Sequence, residues 1–392
     1  AAEVTAQLEA QAQNHPPVPA TGKPGVAPNT GFRRTMRLVL EEARRLRGVA
    51  QRADIPADKR GELLEKVAHL ERMAHHPRWV EMDPTYIPPV DPISNDEPGP
   101  GRNLEDHDLT GRDLSGMDLS KANLRGAILT RANLSGANLQ GADLTNAILF
   151  RTILDGASLE KATLLRVNAA RVSALHTNFR QANLEQAYFA NACLTGANFE
   201  ETKGEFAVFQ AANLGGAVFR GADLAYGDFA EAVLDETNLS GAKFLACMFV
   251  DASGTKLNAR GGSWNRCSFE RAKLPGASFV DATGERVNFS HAQLDGADFG
   301  YGVFVKAQFT EATVQDGAFY GANLLECRFY RANLIRCDFQ FANLKGADLG
   351  KAVLDQVNFR HASLYEAVLL GSKGTGVDFL NANLRRSTLE KT

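Results

Sequence analysis

The chain has 392 residues, 44% of them hydrophobic and 23% charged, with 43 Lys and Arg against 46 Asp and Glu for a net charge of −3. That near balance excludes the clustered basic surface of a general nucleic-acid binder, and also a strongly acidic mimic of nucleic acid. The 23 Phe against 7 Tyr and 2 Trp predict many dry interior positions, because Phe carries no polar group to satisfy.

Thirteen of the 14 prolines fall in the first hundred residues. Residues 1–30 are rich in Ala, Gln and Pro, the composition of a disordered tail or tether. They lack the basic start and apolar stretch of a signal peptide. They also lack an initial Met, which fits a processed chain or a piece of a longer one. Residues 31–78 predict an α-helical hairpin. Met36, Leu40, Ala43, Leu46 and Val49 recur at helical spacing, Asp54-Ile55-Pro56 breaks the pattern, and Leu63, Val67, Leu70 and Met73 resume it. Residues 79–101 read as a Pro-rich linker. No run approaches the roughly 18 apolar residues of a membrane helix.

From residue 102 the texture changes. Every fifth residue from Leu104 to Leu389 marks one register of 58 positions, of which 30 are Leu and 19 are Phe. The register never slips. A small residue, usually Ala, stands two before each central position, and Asn or Asp often stands between, as in Ala122-Asn123-Leu124-Arg125-Gly126. A period of five fits neither a helix, where it advances about 500°, nor a flat strand, where i and i+5 lie on opposite faces. It fits a short extended piece followed by a corner. The small residue and the Leu or Phe then point inward, and the other three residues turn the chain. Leu124, Phe209, Leu257, Trp264, Phe299 and Phe339 are predicted core. After several of the small central residues a larger one follows three later: Ala169 precedes Val172, Gly254 precedes Leu257, Gly284 precedes Val287 and Gly374 precedes Val377. That pattern reads as filling a void that would otherwise be costly.

These residues resemble the pentapeptide-repeat family, whose motif is A-(N/D)-L-x-x. The resemblance implies an all-β solenoid, a right-handed quadrilateral β-helix with four pentapeptides per coil and about 14 coils, roughly 70 Å long at about 4.8 Å per coil. A lesser resemblance, at the junction YIPPV…DEPGPG, is to the repeat region of adaptor proteins of bacterial type VI secretion. It implies effector loading or delivery, and either a cytoplasmic or an exported protein. Some family members protect topoisomerases by mimicking DNA. Residues 101–392 hold 30 basic and 32 acidic residues, a weak field for that role.

The remaining motifs have plain readings. Cys247, Cys267, Cys327 and Cys337 occupy the small inward slot and substitute for Ala. Cys193 is one position outward and has no cysteine at metal-ligand spacing. Asn133-Leu-Ser, Asn238-Leu-Ser and Asn288-Phe-Ser are by-products of the repeat. No catalytic set, cofactor site or metal site emerges. Sorting outward residues by twenties gives one apolar face of Ile128, Ile148, Phe150, Tyr188, Val208, Met248 and Val250, edged by Arg131, Arg151 and Arg171. The next face carries Leu165, Phe206, Tyr226, Leu245, Val305, Leu325 and Tyr365, and another carries Asp155, Asp235, Asp295 and Asp355. The apolar face is the candidate interaction surface. The sequence therefore predicts a non-enzymatic scaffold or adaptor whose partner is another protein, with no membrane or direct nucleic-acid binding. Homodimerisation would use either that face or the C-terminal end, where the repeat runs to Leu389 without a capping helix.

Overall fold

In the computed structural model the chain divides into two units, Ala1–Val90 and Asp91–Thr392. The structure describes residues 99–389 and, singly, Leu46 and Lys59, both helical. The predicted tail, linker and remainder of the hairpin lie outside the described residues.

The second unit is a parallel β-solenoid. Each residue one before a central position bridges the residue twenty further on, from Asn103↔Asn123 to Val368↔Thr388. Twenty residues therefore make one coil, and a coil holds four five-residue units. The ladders widen to three-residue strands at one place: β1 (Asp223–Ala225), β2 (Lys243–Leu245) and β3 (Ser263–Asn265), paired parallel with Asp223↔Lys243 and Lys243↔Ser263.

Counting backbone donors explains the motif. In the unit Asn123 to Ala127, Asn123 N–H donates to Arg102 of the preceding coil at 2.8 Å. Leu124 and Gly126 donate to Asp143 and Thr145 of the next coil at 2.7 and 2.9 Å, and Ala127 closes the turn onto Leu124 at 3.1 Å. One donor per unit is left, on Arg125, and the Asn123 side-chain carbonyl accepts it at 3.2 Å. Every buried N–H needs such a partner. The Asn or Asp before the central residue is thus the fifth acceptor, an Asx turn repeated down the solenoid.

The corner has a conformation the sequence does not announce. Among the described residues, the residue two after each central position from Leu104 to Leu384 has positive φ, between 51° and 69°, in 57 units, and 40 of these residues are not glycine. With the hydrogen bond from the fourth residue's N–H to the first residue's carbonyl around it, this is the type II turn geometry, which needs φ > 0 at its third residue.

The predicted core residues Leu124, Phe209, Leu257, Trp264, Phe299 and Phe339 are all fully buried. Seventeen of the 19 central Phe fall in two of the four columns, those of Phe209 and Phe299. Within a column the rings stack, as for Phe279–Phe299 (5.0 Å, 4°), and between columns they meet edge to face, as for Phe289–Phe299 (5.5 Å, 84°). Trp264 stacks on Phe244 at 4.5 Å. The space beside its indole nitrogen comes from Gly262, where an added Cβ would lie 2.8 Å from Nε1.

The void-filling expectation holds at one glycine and changes at two. An added Cβ at Gly284 would meet Val287 Cγ2 at 2.4 Å, whereas one at Gly374 would meet the Leu354 backbone at 2.8 Å as well as Val377 Cγ2 at 2.9 Å. At Gly254 the nearest atoms are instead the Leu234 and Asp235 backbone, at 2.5 to 2.9 Å. Gly254 is required by close approach of the preceding coil.

Candidate protein-interaction surface

The apolar face read from the sequence divides in two. Ile128 and Ile148 are buried, and Phe150 is 0% exposed. This corrects their placement on an exposed surface. Ile128 and Ile148 are direct ladder partners and stack on one another, and the Arg151 guanidinium lies 5.6 Å from the Phe150 ring centroid. An apolar side chain so covered gains by leaving water. Arg131, Arg151 and Arg171 occupy positive-φ corners and are each engaged in interactions.

The rest of the face is exposed and joins its neighbour. Tyr188, Val208, Asp228 and Met248 follow one another as ladder partners. Tyr188 and Met248 are exposed, Val208 and Val250 half-buried. Around the adjacent corner, Phe206 (49% exposed) stacks on Tyr226 (46% exposed) with centroids 5.0 Å apart. Tyr226 N–H donates to the carbonyl of exposed Leu245 at 2.7 Å. Only one inward residue, Ala207, Gly227 or Cys247, separates the two columns. Sorting by face had divided these residues between neighbouring faces, but the corner makes them one patch. The other members of the second face, Leu165, Val305, Leu325 and Tyr365, are half-buried.

A second exposed aromatic cluster was not singled out from the sequence. Tyr301 meets Tyr320 at 5.5 Å, Tyr320 meets Phe341 at 5.4 Å, and Phe341 stacks on His361 at 4.9 Å and 3°. Tyr301, Phe341 and His361 are corner residues of one column, spaced by forty and twenty with Gly321 between the first two, so sorting the corners alone would have found it.

The acidic column has a structural task. Asp155 accepts the Leu175 N–H at 2.9 Å, Asp235 that of Thr255 at 2.8 Å, Asp295 that of Gln315 at 2.9 Å and Asp355 that of Thr375 at 2.7 Å. In each receiving unit the Asx position holds Ser173, Ser253, Thr313 or Lys373 instead. The preceding coil thus supplies the missing fifth acceptor. Corner charges form exposed pairs one coil apart, such as Arg271 with Asp251 (2.8 Å) and Arg336 with Asp316 (2.6 Å). The paired arginines hold both carboxyls below their ordinary range, against a smaller opposing effect of burial. Such exposed pairs contribute little to stability, because water and salt screen them.

The inward cysteines are hydrogen-bond donors as well as small apolar groups. Cys327 Sγ donates to the Phe304 carbonyl and Cys337 Sγ to that of Val314, both at 2.7 Å. Thr152 and Thr177 make the same bond from the same slot, to Leu129 and Leu154. Among the described residues no group of three or more His, Cys, Asp or Glu is placed to hold a metal, and no helix is long and apolar enough to cross a membrane.

Comparison with known proteins agrees with the repeat. No curated protein matches the chain. Among solved structures, it is similar to HetL, a pentapeptide repeat protein involved in heterocyst differentiation regulation from the cyanobacterium Nostoc sp. That similarity has 22% identity over 73% of this chain and 89% of that one, with a TM-score of 0.18. It is also similar to a trypsin-treated form of QnrB1, a plasmid-mediated fluoroquinolone resistance protein, with 18% identity over 50% and 89% of the two chains and a TM-score of 0.24. A pentapeptide repeat protein of the Arabidopsis thaliana thylakoid lumen is 25% identical over 37% and 66%, with a TM-score of 0.12. The family model for pentapeptide repeats matches in 8 copies, at residues 103–139, 127–164, 166–203, 205–241, 265–300, 318–350 and 352–390. The chain belongs to the pentapeptide-repeat family.

Proposed function

We propose that this protein is a non-enzymatic interaction scaffold or adaptor, built on a right-handed quadrilateral β-helix of about 14 coils, that binds another protein through the patch of Tyr188, Phe206, Tyr226, Leu245 and Met248. The observation that carries the reading is the exposed Phe206–Tyr226 stack with Met248 and Leu245 beside it. Large apolar side chains at outward positions lose free energy to water unless a partner covers them. Aromatic residues and Met are enriched where proteins meet. The Pro-rich junction before the repeat makes bacterial effector secretion the setting in which to seek the partner.

Affinity capture from the native host, with Tyr188→Asp and Met248→Asp as controls, tests this reading. Loss of a specific partner, or of a dimer, from both variants is expected. If both variants keep the same partners and the same oligomeric state, the surface is not an interface. A DNA gyrase supercoiling assay separates the scaffold from a topoisomerase-binding DNA mimic. No effect is expected, because the charges of the repeat nearly cancel and the aspartate column caps backbone.

A further inference from the structure

Of the five cysteines, Cys247 and Cys267 alone occupy the same inward column on successive coils. They are held in register on both sides, by Leu245↔Asn265 before them and Met248↔Ser268 after. Neighbouring coils in such a ladder lie about 4.8 Å apart, within the roughly 4.4–6.8 Å between Cα atoms that a disulfide spans. The thiols also differ from their counterparts. Cys327 and Cys337 each donate to a carbonyl of the preceding coil at 2.7 Å, and Cys247 does so to Leu224 at 2.8 Å. The Cys267 sulfur lies 3.9 Å from the Asn265 carbonyl of its own coil, too long for a good bond.

We propose that Cys247 and Cys267 form an intramolecular disulfide that is set while the chain folds and is then sealed inside the solenoid. The oxidant is a small disulfide such as oxidised glutathione. One cysteine thiolate attacks it, giving a mixed disulfide and releasing one glutathione. The second thiolate attacks the protein sulfur of that mixed disulfide and releases the other glutathione. Two cysteine thiols are oxidised, one glutathione disulfide is reduced, and the two protons lost by the cysteines end on the two glutathiones. Closure requires Cys247 to turn away from the Leu224 carbonyl.

The same geometry blocks the reaction once folding is complete. Cys247 is 1% exposed and Cys267 0%, so a molecule the size of glutathione has no approach. Burial also pushes the Cys267 thiol well up, which leaves little of the attacking thiolate. The redox state present during folding therefore persists afterwards.

The test uses the full chain, unfolded and refolded in a mixture of reduced and oxidised glutathione, then alkylated in denaturant and peptide-mapped. A species lighter by two hydrogens, with Cys247 joined to Cys267 and a melting temperature several degrees above the reduced form, is expected. Folded reduced protein given the same mixture should keep both cysteines open to later alkylation. Cys267→Ala should abolish the cross-link. Where refolding yields are low, cell-free synthesis in the same mixture gives the same readout. The proposal is overturned if both cysteines alkylate fully after folding in the oxidising mixture, or if either joins another cysteine. Oxidation of the folded protein at the same rate as the unfolded chain overturns the sealing.

Discussion

At the scale of single residues, the solenoid solves the same backbone problem 58 times. Four of the five N–H groups in a unit find carbonyls, and where an Asn or Asp stands before the centre, or an aspartate in the preceding coil faces it, a side-chain oxygen takes the fifth. Removing such an oxygen at an exposed corner exchanges the bond for one to water, which costs about 0.5–1.5 kcal/mol. Asp235→Ala should therefore lower stability to urea by about that much and Asp235→Asn by less, because an amide oxygen still accepts from Thr255. Acid acts on the same groups. The Ser115 hydroxyl and N–H hold the Asp113 carboxyl below its ordinary range, and the Ser120 N–H and hydroxyl do so for Asp118, each against a smaller effect of burial. A carboxylate with a depressed folded pKa contributes stability that is present above its unfolded pKa, about 3.9, and lost as pH falls through the lower folded value. Acid titration of stability should accordingly weaken the protein below about pH 4. The double variant Asp113→Asn with Asp118→Asn should flatten that part of the curve. The corner conformation was not legible, because only 17 of the 57 described corner residues are glycine and the other 40 are of ten different types. At Gly276 an added Cβ would meet nothing within 4 Å, so the cost there is mainly backbone. Gly276→Val should destabilise by about 1–2 kcal/mol and Gly276→Asn by less, as equilibrium unfolding would show.

At the scale of the element, the period-five register exposed the core almost completely. A side chain's inward direction follows from its place in the unit, and nothing distant overrides it. What the register did not give was how the columns use their residues. Phe occupies two columns so that stacked and edge-to-face contacts alternate through the interior, each pair adding about 0.5–1.5 kcal/mol beyond its buried area. Phe299 stacks on both Phe279 and Phe319. Phe299→Ala should cost about 3–5 kcal/mol, with faster hydrogen exchange in the coils beside it, because each coil leans only on its neighbours. Leu257→Ala should likewise destabilise, by about 2–5 kcal/mol; an unchanged melting temperature would show that the residue fills no needed space. Gly254 escaped the volume argument because its constraint is a carbonyl of the neighbouring coil, which no count of side-chain sizes reveals.

At the scale of the whole molecule, the candidate surface was half legible. Outward apolar residues could be sorted by twenties, which found Tyr188, Met248, Phe206 and Tyr226. Sorting treats each face as flat, so it neither joined residues around a corner nor showed that Phe150 lies beneath Arg151. A triple variant carrying Phe206→Asp, Tyr226→Asp and Met248→Asp should keep its fold, since all three side chains leave the core untouched. It should lose the partner captured by the unaltered protein.

The twenty-residue coil also sets what kinds of length change such a gene can survive. Loss of one codon within the repeat would exchange inward and outward positions for the rest of the solenoid. Loss of five would preserve the interior but carry every later surface residue a quarter turn round the axis. That would break the charge pairs that span the loss, and uncouple Phe206 from Tyr226 if it fell between them. Only gains or losses of twenty leave both the interior and the surface columns aligned. Duplication of a whole coil is then the smallest lengthening that keeps the display intact.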